Sequence, residues 1–218
     1  LFQGQVMAEE RNYAPFPFDP KTIDYLVVCH AHLDHVGKIP KLVADGFSGK
    51  IISTTPTREI TQLVLEDSFK LMMEEAKKDD HRPLYMEEHI DLAMRLFETV
   101  EWNSEYKIAD DVVLVLKNSG HILGSAFAVL SAEGKKLVYS SDLGNTPAVL
   151  LPDLVEIGDA DLVIMETTYG GRVHEDASKR SEKLKTIINS TIVNSGVLMI
   201  PTFAIERTQE LLADIEHA

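Results

Sequence analysis

The chain has 218 residues, 44% of them hydrophobic and 26% charged, enough to bury the core of one large domain, or of one domain and part of another. Its 35 acidic and 21 basic residues leave a net charge of −14, which excludes binding of a polyanion through overall charge and requires locally gathered cations or metals instead. No apolar run approaches the roughly 20 residues that cross a bilayer, no signal-peptide pattern opens the sequence, and the single cysteine, Cys29, allows no internal disulfide, so a cytoplasmic protein is expected.

In chain order, residues 1–4, "LFQG", have the form of a remnant left by a tag-removing protease. Apolar or alternating runs bounded by Gly, Asp or Ser predict strands at 23–29, 50–53, 112–117, 126–131, 136–140, 162–166 and 197–200. A Thr cap signal, followed by Ile60, Leu63, Val64 and Leu71 on one side, predicts a helix over 54–77. Ile90, Ala93, Met94 and Phe97 predict another over 85–100, and the polar "AKKDDHRPL" between them predicts a surface loop with His81 solvated. Trp102 is expected to anchor packing, and His89 and His217, in charged helical stretches, to be structural or exposed. "ERTQELLADIEHA" reads as a helix with Leu211, Leu212 and Ile215 on one face and no capping signal. Strands that alternate with helices in places and form hairpins in others predict an α/β layered fold with a mixed sheet.

The chemistry concentrates in "CHAHLDHVG" (29–37), directly after the apolar "YLVV". In an extended segment alternate residues point the same way, so His30 and His32 can reach one ion together. Asp34 and His35 follow where the chain turns into "HVGKIPKLVADG", and that turn can aim them at a second position. Imidazole nitrogen with carboxylate oxygen suits Zn²⁺ or Mn²⁺, and two ions about 3.5–4 Å apart form a known hydrolytic arrangement. Further ligands are expected at other strand ends. "NSGHILGSA" puts His121 in a turn between two strands, and "VYSSDLGN" puts Asp142 just after one. Alone, each would read as an ordinary turn residue. Beside the first cluster they read as ligands.

"HAHLDH", "SGHILGSA" and "SSDLGN", in that order, resemble the second, third and fourth motifs of the metallo-β-lactamase fold. "METTYGGRVHED" (165–176) and "IPTFAIERTQELL" (200–212) resemble the β-CASP branch, the nucleic-acid-processing nucleases, closest in pattern to the bacterial and archaeal ribonucleases related to the eukaryotic pre-mRNA 3′-end endonuclease. The resemblance implies a partial αββα sandwich over 1–172 that lacks its opening strands, and the start of a β-CASP insertion over 173–218. It also gives "LFQG" a native origin, because a Leu-Phe-Gln-Gly-like stretch commonly follows the family's first motif. On that basis the chain is expected to begin past the first motif and to stop before the later ones.

Carried over residue by residue, the resemblance implies that His30, His32 and His121 hold one zinc. Asp34 and His35 hold a second, together with a histidine outside this sequence, and Asp142 bridges the two. A hydroxide between the ions would attack phosphorus, with Asp34 orienting it. Glu166 matches the first β-CASP motif and would orient the absent histidine; Arg172, His174 and Arg207 are candidates to meet substrate phosphate. The implied activity is a zinc- or manganese-dependent ribonuclease acting on single-stranded RNA, with a homodimer left open. Two other readings stand beside it: a small-molecule hydrolase of a thioester, lactone or lactam on the same metal core, and a non-catalytic scaffold subunit. The β-CASP-like motifs speak against the first, and the filled ligand positions against the second.

Overall fold

A computed structural model describes residues 1–2, 6–79, 82–147, 150–173 and 179–217. Two β-sheets face each other, and the two-residue period of their strands sorts side chains into an inner layer and two outer ones. The first sheet is parallel, with strand order β1 (Tyr25–Val27), β2 (Lys50–Ser53), β3 (Phe97–Thr99). Parallel neighbours require crossovers. These are supplied by α2 (Leu33–Val36) and α3 (Ile39–Ala44) after β1, and by α4 (Thr55–Asp79) and α5 (Glu87–Arg95) after β2. A first helix, α1 (Val6–Tyr13), and a 3₁₀ turn, Pro20–Thr22, precede them.

The second sheet is an antiparallel meander of β4 (Glu105–Ala109), β5 (Val112–Asn118), β6 (Ala126–Ala132) and β7 (Lys135–Tyr139), extended by β8 (Leu162–Ile164) parallel to β7. Two helices follow, α6 (Arg180–Val193) and α7 (Arg207–His217), packed on each other.

Ile52 and Cys29 pack with Leu114, Leu116, Ala126 and Ala128 between the sheets, and Trp102 closes this layer as expected. Ile51, one residue before Ile52, faces the other way into a core with Leu42, Leu65, Ile90 and Met94 of the helices. On the second sheet Phe127, Val129 and Val138 turn outward to meet Leu154, Ile157 and Ala160. The Ala126 N–H donates to the Cys29 carbonyl at 2.7 Å, joining the start of β6 to the chain just beyond β1. The arrangement is the expected α/β fold with two sheets and flanking helices.

Four expectations need correction. The helix expected over 85–100 ends at Arg95, and Phe97–Thr99 becomes β3 because β2 offers its edge there, with Ile51 N–H donating to Leu96 O at 2.9 Å. Helix α4 spans the expected residues, but Leu63 and Leu71 are exposed; its inward stripe is Thr57, Thr61 and Leu65, spaced by four. Residues 197–200 form no strand: Val197 and Met199 are exposed, and no neighbouring strand takes up their hydrogen bonds. In α7 the buried residues are Glu210 and Asp214, with Glu206 just before the helix, while Leu212 and Ile215 face outward.

His89 caps α5, its Nδ1 accepting from the Met86 N–H at 3.0 Å. His81 and the side chain of His217 lie outside the described residues. Among the described residues, no helix is long and apolar enough to cross a membrane.

Candidate metal centre

Beyond β1 the chain stays extended as far as His32, which occupies the N-cap position of α2 with φ −66° and ψ 146°. The short α2 then carries Asp34 in its first turn and His35 in its last. Helix α2 therefore turns these two side chains back toward the strand-end histidines. His121 arrives from the β5–β6 turn and Asp142 from just past β7, so three separate chain segments converge.

The distances divide the donors into two groups around one carboxylate. His30 Nε2 and His121 Nε2 lie 3.7 and 3.6 Å from Asp142 Oδ2, whereas His35 Nε2 lies 3.6 Å from Asp142 Oδ1. Asp34 Oδ2 is 3.4 Å from His35 Nε2, and His32 Nδ1 is 3.1 Å from His121 Nε2. One donor atom from each of His30, His32, His121 and Asp142 falls within 4.8 Å of the other three.

The His121 turn is held from three sides. Ser125 Oγ accepts from the backbone N–H groups of His121 and Ile122 at 3.0 and 3.1 Å, and from Ser119 Oγ at 2.9 Å. The hydroxyls of Thr54 and Thr57, at the start of α4, both donate to the Gly124 carbonyl, at 2.7 and 2.9 Å. Gly124 has φ +79°, and a Cβ there would lie 2.7 Å from Thr57 N, so only glycine lets the turn sit this close to α4. From the other side the buried Glu206 accepts from the Leu123 N–H at 3.0 Å.

Glu166, past the end of β8, holds the segment after Asp142. Its Oε1 accepts from the Leu143 N–H at 3.1 Å, its Oε2 from the Thr168 N–H at 3.2 Å, and its own N–H donates to Ser140 Oγ at 3.1 Å. Burial alone would raise the Glu166 carboxyl, but these hydrogen bonds hold it below its usual range. Arg207, the first residue of α7, pairs with Glu210 at 2.7 Å and its charge reaches His121. Arg172 is exposed in the turn after β8 and makes no hydrogen bond or ion pair with the six clustered residues. His174 lies outside the described residues. Sequence reading missed Thr54, Thr57, Ser141 and Glu206.

The family model described as "Beta-lactamase superfamily domain" matches residues 2–213. The chain belongs to that superfamily. Among its relatives, Ribonuclease TTHA0252 of Thermus thermophilus is 40% identical over 212 residues, which cover 97% of this chain and 47% of that protein. RNase J-like protein of Methanocaldococcus jannaschii is 34% identical over 202 residues, 91% of this chain and 45% of that protein. Endoribonuclease YSH1 of Yarrowia lipolytica is 30% identical over 202 residues, 92% of this chain and 24% of that protein. The chain thus spans about half the length, or less, of the curated relatives it matches. These relatives are β-CASP family members, in agreement with the motif resemblance.

In this β-lactamase superfamily domain the donor set fits a divalent cation on its own chemistry. His30 is fully buried, and its Nε2 finds no hydrogen-bond partner among the described residues. A buried polar atom left so is costly unless a ligand completes it. Burial pushes His30 down to about 2, helped by His35, His121 and His32 around it. Burial likewise brings His121 down to about 4, with His32 adding to the shift and Asp142 opposing it. Both imidazoles are therefore neutral at neutral pH, the form that binds metal.

Proposed function

We propose that this domain supplies the hydrolytic centre of a zinc-dependent ribonuclease that cleaves phosphodiester bonds of single-stranded RNA. The observation that carries the reading is the split of Asp142: one carboxylate oxygen faces His30 and His121, the other faces His35. A carboxylate so placed is suited to serve two cation positions at once. His30, His32 and His121 would hold the first ion, and Asp34 and His35 would contribute to the second. When bound, the ions supply a water acidic enough to ionise near neutral pH and neutralise charge on the phosphoryl oxygens.

The remaining steps fall to protein groups. Asp34, half-exposed beside His35, would accept a hydrogen bond from the attacking water and orient it toward phosphorus. Glu166 would keep Asp142 in place through its hold on the Leu143 N–H. Arg207, whose charge reaches His121, would meet a phosphate oxygen, offsetting the −14 overall charge locally. Within the chain we place the division between the metallo-β-lactamase core and the start of a β-CASP segment near residue 172.

The reading is supported by relatives named ribonuclease, RNase J-like protein and endoribonuclease. Its test is cleavage of end-labelled single-stranded RNA by the zinc-loaded full-length protein, beside an Asp34→Ala, His35→Ala double variant. The wild type is expected to cut, and the variant to lose at least about a hundredfold in rate. Zinc-loaded protein that leaves RNA intact but hydrolyses a thioester, lactone or lactam would overturn the reading in favour of a small-molecule hydrolase.

A further inference from the structure

Ser141 sits directly before Asp142, buried, with φ +51°. That is the left-handed region, which glycine enters freely and a residue with a Cβ enters only at a cost. Nothing in the turn geometry calls for a side chain here. The hydroxyl itself has a partner: Ser141 Oγ lies 3.2 Å from Nδ1 of His30, a residue 111 positions away in sequence.

The two ring nitrogens of His30 have opposite surroundings. Nδ1 meets the serine hydroxyl, whereas Nε2 faces Asp142 Oδ2 and has no hydrogen-bond partner among the described residues. A neutral imidazole carries one proton, and the nitrogen that keeps it cannot ligate. We infer that Ser141 is a positioning residue: its oxygen accepts the Nδ1–H of His30, fixing the tautomer and the ring plane so that the Nε2 lone pair is presented to a divalent cation.

A hydroxyl oxygen has two lone pairs, so Ser141 Oγ can accept the imidazole N–H. The inference rests on the metal-centre reading but not on the choice of RNA as substrate.

A structural role and a positioning role make different demands on substitutions, which separates them. Ser141→Gly removes the hydroxyl and relieves the backbone; Ser141→Ala removes the hydroxyl and leaves the backbone as it is; Ser141→Thr keeps the hydroxyl while crowding the backbone further. Zinc affinity of the full-length protein is measured by competition with a chromophoric chelator, and thermal midpoint is measured on metal-free protein. Affinity is expected to fall roughly 10- to 100-fold in both the Gly and Ala variants, and to stay near wild type in Thr. The metal-free midpoint is expected to follow the other order, with Gly at or above wild type and Thr below it. Gly and Ala variants that bind zinc within about twofold of wild type would overturn the inference while leaving the metal centre standing. A wild-type protein that takes up no zinc would overturn both.

Discussion

Asp142→Ala is expected to lower the rate of RNA hydrolysis by at least about a thousandfold while leaving the fold nearly intact. The first half follows from geometry. Among the described residues Asp142 is the side chain whose two oxygens face different donor groups, Oδ2 toward His30 and His121 and Oδ1 toward His35. Without it neither group is completed, and no other carboxylate stands in: Asp34 lies on the His35 side. The second half follows from burial. The Asp142 side chain is about one third exposed (35%) and belongs to none of the three apolar clusters, so its removal opens no cavity. Single-turnover kinetics and a thermal melt on the same preparation check both halves. Turnover within tenfold of wild type would contradict the bridging role, and a collapsed melt would mean that Asp142 is needed for folding instead.

Removing the metal is expected to lower the thermal midpoint by about 5–15 °C, and returning zinc to restore it. A ligand that binds only the folded state stabilises it by about 2.7 kcal/mol at a hundred times its dissociation constant and about 4.1 kcal/mol at a thousand times. For a chain of this size each kcal/mol moves the midpoint by about 2–4 °C. The effect concentrates at this site because its donors come from the end of β1, α2, the β5–β6 turn and the end of β7, so one ion ties the two sheets together. The imidazoles of His30 and His121 are already neutral at neutral pH, so they release no protons on binding. A calorimetric scan with and without chelator measures the shift. Coincident melts would show that no ion is bound in the folded state.

The clustered side chains were legible in the sequence because their signals are local. An apolar run followed by "HAHLDH" specifies a strand end, and the two-residue period then places His30 and His32 on one side. His121 and Asp142 needed a second step, but each sat in a turn at the end of an apolar run, where strand-based sites take their ligands. The supporting contacts were less legible because they join distant segments. The Ser141 hydroxyl meets His30 across 111 residues and the Glu206 carboxylate meets Leu123 across 83. Neither residue type stands out beside its neighbours, and the sign of φ at Ser141 leaves no mark in composition.

The errors in the fold have a similar cause. Phe97 continues the helical spacing of Ile90, Ala93 and Met94, yet the free edge of β2 competes for the same residues and takes them. In α4, Leu63 and Leu71 are the more hydrophobic residues, yet the inner face is made of Thr57, Thr61 and Leu65, with Thr57 meeting the His121 turn. The acid-lined inner face of α7 could not be anticipated from a helical wheel. Its charges are met by particular partners, Arg207 for Glu210, Arg180 for Asp214 and the Leu123 N–H for Glu206.

His30, His32, His121 and Asp142 are expected to hold a divalent cation. An anomalous-difference map recorded at the zinc absorption edge, from crystals of zinc-loaded protein, tests it most directly. A peak is expected within coordination distance of His30 Nε2, His32, His121 and Asp142 Oδ2, with any second peak on the Oδ1 side beside Asp34 and His35. A map with zinc bound elsewhere and no peak among these four side chains would contradict it.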